Sequence, residues 1–157
     1  MENNKVINSV NLYAGTNFTY LVLNVIGENS YPRNAGFQTV HWHEDLQFVY
    51  VLDGMVTVKT LTSSVTIEKG EGIFINKNVV HFIGQFDCHY NSFIFPDYFL
   101  KFYFGSPAET LINRIVGQTT LSFYKFSRSV EWHIKVLNKL KFLSELENHK
   151  DELYAYR

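Results

Sequence analysis

Three histidines and a glutamine, spread over two Gly-bounded stretches, carry the chemistry legible in this chain. The first stretch runs Gly36-Phe-Gln-Thr-Val-His41-Trp-His43-Glu-Asp-Leu-Gln47-Phe-Val-Tyr-Val-Leu-Asp-Gly54. The second runs Gly70-Glu-Gly72-Ile-Phe-Ile-Asn76-Lys-Asn78-Val-Val-His81. On extended backbone the side chains at i and i+2 leave the same face, so His41 and His43 look into one space. Gln47 shares that parity as long as no bulge intervenes. His81, beside a Gly- and Asn-rich turn, is the natural third imidazole. Three neutral imidazoles can ligate a divalent metal or hydrogen-bond a bound small molecule. Gln47 tilts the choice toward small-molecule binding. Its neutral carboxamide offsets none of a metal's charge, yet it both donates and accepts hydrogen bonds to hydroxyl-rich or amide ligands. Val49 shares the parity of Gln47 and is a further candidate for the pocket wall, against an ordinary core position. Trp42 alternates away from it.

These residues need strands to position them. Phe18 to Ile26 is dense in strand formers on both faces and reads as a covered strand, broken by Gly27 and Pro32. Leu46 to Leu52 is a second strand, and Asp53-Gly54 before Met55-Val-Thr-Val-Lys-Thr-Leu reads as a hairpin turn. Strands over Val65 to Glu68, Ile73 to Ile75, Val79 to Ile83 and Tyr90 to Phe95 follow, separated by turn residues. Six or more short strands at this spacing imply a sandwich or barrel. After Pro96 the pattern turns helical: short helices over Pro96 to Phe104 and Pro107 to Val116, then a longer amphipathic helix over Ser129 to His149. Ser127 or Ser129 is the expected cap of that helix. Ile134, Leu137, Leu140 and Leu143 recur along one face, which packs on the barrel or pairs with a second copy. The expected layout is an arm over 1–17, a barrel over 18–95 and a helical subdomain over 96–157, whose pairing helix lies at about 129–149.

Composition narrows the function classes. With 46% apolar and 17% aromatic residues in 157, the chain has ample material for one folded core. A formal charge of -1 marks no nucleic-acid surface. The lone Cys88 excludes an internal disulfide and suits a reducing compartment. No apolar run approaches the roughly 18 residues that span a bilayer, and the polar start Met-Glu-Asn-Asn-Lys is no signal peptide. The expected location is the cytoplasm, with no membrane partner. No phosphate loop or nucleophile motif is present. Glu44 and Asp45 sit at the turn after His43, and His89, His133 and His149 have no spacing that defines a site.

The Gly, His-x-His, closing Gly and later Gly-turn-His at Gly36, His41, His43, Gln47, Gly54, Gly72 and His81 resemble the two motifs of the cupin superfamily. The fold this implies is mainly β, a cupin-like double-stranded β-helix or jelly-roll barrel followed by C-terminal α-helices. Gln47 departs from the pattern by standing where the acidic residue is usual. A tighter resemblance is to the sensor domain of AraC-type bacterial transcription regulators. It is carried by His41-Trp-His-Glu-Asp-Leu-Gln-Phe-Val-Tyr-Val-Leu-Asp-Gly54, by Gly72-Ile-Phe-Ile-Asn-Lys-Asn-Val-Val-His81, by Cys88 to Phe95 with Pro96-Asp97, and by the helix around Trp132.

That resemblance implies a domain that binds a small effector, such as a sugar or other metabolite, in the barrel through His41, His43, Gln47, Val49 and His81. It also implies a homodimer paired through Ile134, Leu137, Leu140 and Leu143. DNA is then contacted only by a helix-turn-helix unit that this chain lacks, so the chain reads as a sensor domain cut from a longer polypeptide. Asn8, Asn11 and Tyr13 lie on an arm able to fold over the effector. The expected protein is no enzyme and needs no cofactor. The alternative is a small metal-dependent cupin enzyme, a dioxygenase or sugar isomerase, holding zinc, iron or manganese on His41, His43 and His81.

Overall fold

The computed structural model describes residues 5–150; the first four residues of the expected arm and residues 151–157 of the expected helical region lie outside it. The strands are β1 Ile7–Asn8, β2 Leu21–Ile26, β3 Asn29–Tyr31, β4 His41–Trp42, β5 Leu46–Thr60, β6 Ser64–Glu68, β7 Gly72–Ile75, β8 His81–Phe95 and β9 Phe123–Phe126. The helices are α1 Pro107–Val116 and α2 Glu131–Leu146, with 3₁₀ turns at Ala35–Gln38 and Asp97–Leu100. Within the described residues, the nine strands join one curled sheet in the order β1-β4-β8-β5-β7-β9, with β2 on β8, β3 on β2 and β6 on β5.

Period-two alternation gives this sheet two covered faces. Val49, Val51, Leu21, Leu23, Ile73, Ile75, Tyr90 and Ile94 fill the inside of the curl. Leu46, Tyr50, Val22, Phe74, Phe93 and Phe95 point outward, where Leu137 and Leu140 of α2 cover them together with Phe126. Burial on both sides is why Leu21–Leu23 of β2, Phe48–Leu52 of β5 and Phe93–Phe95 of β8 read as unbroken apolar runs. The expected cupin-like barrel with C-terminal helices is the fold observed.

Several local expectations are corrected. Asp53-Gly54 makes no hairpin: the chain continues through it as β5, with register shifts on either side of Asp53. The long partner β8 runs antiparallel to both halves of β5, so no reversal is needed. Gly54, at φ 71°, instead lets the backbone pass the Asp87 carbonyl, and Asp87 itself takes φ 48°. For the same reason the two strands expected between Val79 and Phe95 are the single strand β8. Strand β9 was not expected; it extends the sheet through β7, pairing Gly72 with Phe126 and Ile75 with Phe123. The stretch from Pro96 shortens to one 3₁₀ turn, while α1 forms over Pro107–Val116 with Pro107 in its first turn and Ser106 Oγ accepting from Glu109 N–H at 3.0 Å.

Neither Ser127 nor Ser129 caps α2. Their hydroxyls meet each other at 2.9 Å, and Val130 holds the cap position without a side-chain bond. His133 does the tethering: its Nδ1 accepts from Ser127 N–H at 3.0 Å, so its Nε2–H donates to the Tyr124 hydroxyl at 3.1 Å.

Candidate ligand and metal site

Strand pairing assembles the cluster expected from the sequence. His41 in β4 is the direct antiparallel partner of His81 at the start of β8. His43 follows two residues on, and Gln47 enters from β5 beside Ile94 of β8 and Ile75 of β7. All four side chains are buried. The ring centroids lie 4.4 Å apart for His41 and His81, 5.2 Å for His43 and His81, and 5.8 Å for His41 and His43.

Each imidazole is oriented by its own backbone. Nδ1 of His41 lies 2.7 Å from Thr39 O, Nδ1 of His43 lies 2.9 Å from Asp45 O, and Nδ1 of His81 lies 2.8 Å from Val79 O. A carbonyl only accepts, so every Nδ1 carries a proton, and a neutral ring then presents a lone pair at Nε2. Burial, reinforced by His43, lowers the His41 pKa from the ordinary 6.5 to about 4. Burial, reinforced by His41 and His43, lowers that of His81 to about 3. Both rings are therefore neutral at pH 7.

The Gln47 carboxamide sits between the rings. Its Oε1 is 3.1 Å from His43 Nε2 and 2.9 Å from His81 Nε2, while its Nε2 donates to Ser92 Oγ at 2.7 Å. An amide oxygen facing the lone pair of a neutral ring is balanced only by a cation between them. Otherwise the carboxamide turns over, donates its NH₂ to the rings, and accepts from the Ser92 hydroxyl. The donor set fits a divalent ion: one nitrogen from each histidine lies within 4.8 Å of the others, and the carbonyls that accept from each Nδ1–H fix the rings with Nε2 free to ligate. The set supplies no negative charge.

The enclosed space is small. The hollow bounded by His41, His43, Gln47, Ser92 and Tyr90 measures about 10 Å³, room for a water or an ion. Val49 is fully buried in the inner core and does not border this hollow. A larger cavity of about 200 Å³ lies at the mouth, between arm residues Asn8 to Asn11 and His43, Glu44 and Asp45. The arm is fixed across it: β1 pairs in parallel with β4, and Asn11 Nδ2 donates to Asp45 Oδ2 at 2.9 Å and to Ile94 O at 3.4 Å. Tyr13 is exposed, and its N–H donates to Asn11 Oδ1. Of the expected pairing residues, Leu137 and Leu140 are buried against the chain's own sheet and Leu143 packs partly against the same cluster; Ile134 remains exposed.

Ser92 and Asp45 are the site residues that the spacing of histidines did not single out. A signal for Ser92 was present: it is a small polar residue inside the apolar run Tyr90 to Phe95, on the inward parity of Ile94.

The curled sheet and the buried histidine cluster define a cupin-like domain, and residues 30–85 match the family described as the cupin domain. Over 123 residues the chain is similar, at 24% identity, to YdeC of Bacillus subtilis, described as an uncharacterized HTH-type transcriptional regulator; the match covers 76% of this chain and 41% of that protein. The chain thus spans about two fifths of that relative's length. Among solved structures, an apo variant of ToxT from Vibrio cholerae aligns at TM-score 0.49 and 14% identity, over 90% of this chain and 51% of ToxT. A mutant of the Bacillus subtilis oxalate decarboxylase OxdC aligns at 0.38 and 11%, over 67% and 32%. The cupin match and the regulator relative agree with the expectation of a cupin-like domain of a transcription regulator.

Proposed function

We propose that this domain is the sensing and dimerising unit of an AraC-type transcription regulator that works in the cytoplasm, with DNA contacted by a helix-turn-helix unit elsewhere in the polypeptide. The observation that carries the reading is the arm. Residues 7–11 lie across the barrel mouth and enclose about 200 Å³ against His43, beside an inner hollow of only about 10 Å³. A small metabolite seated under the arm contacts His43 and Asp45 and competes with the Asn11–Asp45 bond, so occupancy and arm position are linked. Differential affinity for the two arm positions is the source of any response, typically worth ~1–3 kcal/mol. His41, Gln47 and His81 then act as the buried frame that holds His43. Pairing of two copies falls to the outer side of α2, where Ile134 is uncovered.

The test is calorimetric titration of pooled sugars and metabolites, paired with operator-DNA affinity of the full-length regulator. Saturable binding that Asn11→Ala alters, with a matching change in DNA affinity, is the expected result. Absence of binding in a strictly monomeric protein sinks the reading.

The second reading, a metal-dependent cupin enzyme, is favoured by one observation: one nitrogen from each of His41, His43 and His81 lies within 4.8 Å of the others, with Gln47 Oε1 close to two of these rings. Zinc, iron or manganese held by His41, His43, His81 and Gln47 would supply a positive charge there. The hollow beside these residues leaves no room for a substrate, so turnover requires the arm to lift. Elemental analysis joined to an activity that His81→Ala removes would establish it.

A further inference from the structure

A cleft of about 620 Å³ lies outside the barrel, between the sheet and the last turns of α2. Its position follows from one change in side-chain type. On the outward face the cross-strand row Val22–Phe93–Phe48–Phe74 is wholly apolar. The next outward row, two residues along each strand, is Asn24–Asn91–Tyr50–Gly72. Two carboxamides, a phenol and a glycine thus stand where a helix-covered sheet ordinarily continues in aliphatic and aromatic residues.

These groups are buried or half-buried yet oriented. Asn24 Oδ1 accepts from His89 Nε2 at 2.6 Å and from Asn91 Nδ2 at 3.2 Å. Neither Asn24 Nδ2 nor Asn91 Oδ1 is used in these bonds, and neither is a buried unpartnered atom: both side chains line the cleft and are open to a group placed in it. A free amide N–H and a free amide oxygen side by side offer a ligand hydroxyl both an acceptor and a donor. Burial and the nearby Glu145 hold the Tyr50 hydroxyl above its ordinary pKa, so it stays a donor.

Charge completes the arrangement. Lys69 is paired with Asp53 at 2.8 Å, and Lys141 stands 4.0 Å from Glu145. Arg128, lying over Gly70 on the rim, has no carboxylate within ion-pair distance among the described residues. An unpaired guanidinium beside two open carboxamides and a phenol suits a ligand with one anionic end and several hydroxyls. The volume is within the range of small-molecule sites, ~300–1,000 Å³.

We propose that this cleft is a second ligand site, taking a small hydroxylated organic anion whose carboxylate or phosphate meets Arg128 and whose hydroxyls meet Asn24, Asn91 and Tyr50. The site is distinct from the cavity under the arm, and its binding is read on this chain without DNA, so it stands or falls apart from the sensor reading. A ligand here bridges α2 to the barrel, the same contact that Leu137 and Leu140 make.

The experiment is an amide NMR titration of the chain with gluconate and glucose 6-phosphate as probes, and with glucose and inorganic phosphate as comparators. Saturable shifts of the Asn24 and Asn91 side-chain amides are expected with the two hydroxylated anions, and weaker ones with either comparator. Arg128→Ala, at an exposed position that folding does not require, lowers that affinity about tenfold, the scale of one lost charge-assisted contact. Lys135→Ala removes the same charge from α2 outside the cleft and leaves the affinity unchanged. No saturable shift at millimolar probe, shifts confined to the barrel mouth, or equal losses in the two variants would each overturn the proposal.

Discussion

Gln47 Oε1 lies 2.9 Å from His81 Nε2, the shortest link between the two motif-bearing halves of the cluster. Because Val79 O fixes the proton of His81 on Nδ1 and burial keeps the ring neutral, this link has two chemical solutions. Either a cation sits between oxygen and lone pair, or the carboxamide turns over and the Ser92 hydroxyl becomes the donor. The same four side chains therefore serve as a packed polar frame or as a metal cage, and the Gln47 amide reports which.

Gln47→Glu separates these states. A carboxylate in this place offsets part of a divalent charge and turns a neutral donor set into an anionic one. Zinc or manganese affinity should rise at least about tenfold, read by calorimetry. Gln47→Leu removes the partner of two imidazoles and a serine in a buried setting and should cost ~1–3 kcal/mol of unfolding free energy. If denaturant midpoints for Gln47→Leu equal those of the parent, the carboxamide is no part of the frame.

Stability should fall in mild acid. His41 and His81 titrate at about 4 and about 3 when folded and near 6.5 when unfolded, so the unfolded chain takes up protons first. Their contribution is fully present above about pH 6.5 and is lost as pH drops toward their folded values. At ~1.4 kcal/mol per pKa unit, the two rings together weigh several kcal/mol. Thermal midpoints measured from pH 7.5 down to 4.5 should decline, and His41→Phe should flatten the slope. A midpoint that holds constant across that window contradicts the burial assigned to these rings.

Most of the site could be read from spacing alone because it depends on parity. His41, His43 and Gln47 lie on one face of extended backbone, and the turn at Lys77 and Asn78, with Asn78 at φ 62°, brings His81 to the same end of the curl. What spacing did not carry was the size of the hollow, since that depends on Tyr90 and Ser92 from a distant strand closing in on Gln47. Val49 shows the limit of parity: it points inward as expected, but the core fills around it. Gly54 shows another. Asp-Gly is a turn signal only when the chain must reverse, and here a long partner strand runs past it, so the glycine's positive φ becomes a bulge. Strand β9 was overlooked because Phe123 to Phe126 lies between two helical stretches and gains its meaning only from β7.

The leucine stripe of α2 divides into two roles that mutation can separate. Leu137 and Leu140 are buried on the sheet, so Leu140→Ala should cost ~2–5 kcal/mol in unfolding free energy at any protein concentration. Ile134 is exposed, so Ile134→Ala should leave stability within ~0.5 kcal/mol while weakening self-association in sedimentation equilibrium. Equal effects of the two substitutions on dimerisation would mean the helix does not sit on its own barrel in solution.

At Gly72 the leucines of α2 lie directly on the sheet backbone. A Cβ there would lie 2.8 Å from Val49 O, 3.1 Å from Leu140 Cδ1 and 3.3 Å from Leu137 Cδ2. The leucine tips can shift, but the carbonyl belongs to the β5–β7 ladder and cannot. Gly72→Ala should therefore destabilise the domain by ~1–3 kcal/mol, the usual cost of overpacking. It should also loosen the last turns of α2, since the new methyl pushes at the point where Leu140 anchors them. Hydrogen exchange should show faster exchange over residues 137–146 with the barrel strands unchanged. Uniform loss of protection across β5 and β8 would instead mean that the barrel, and not the helix contact, gives way.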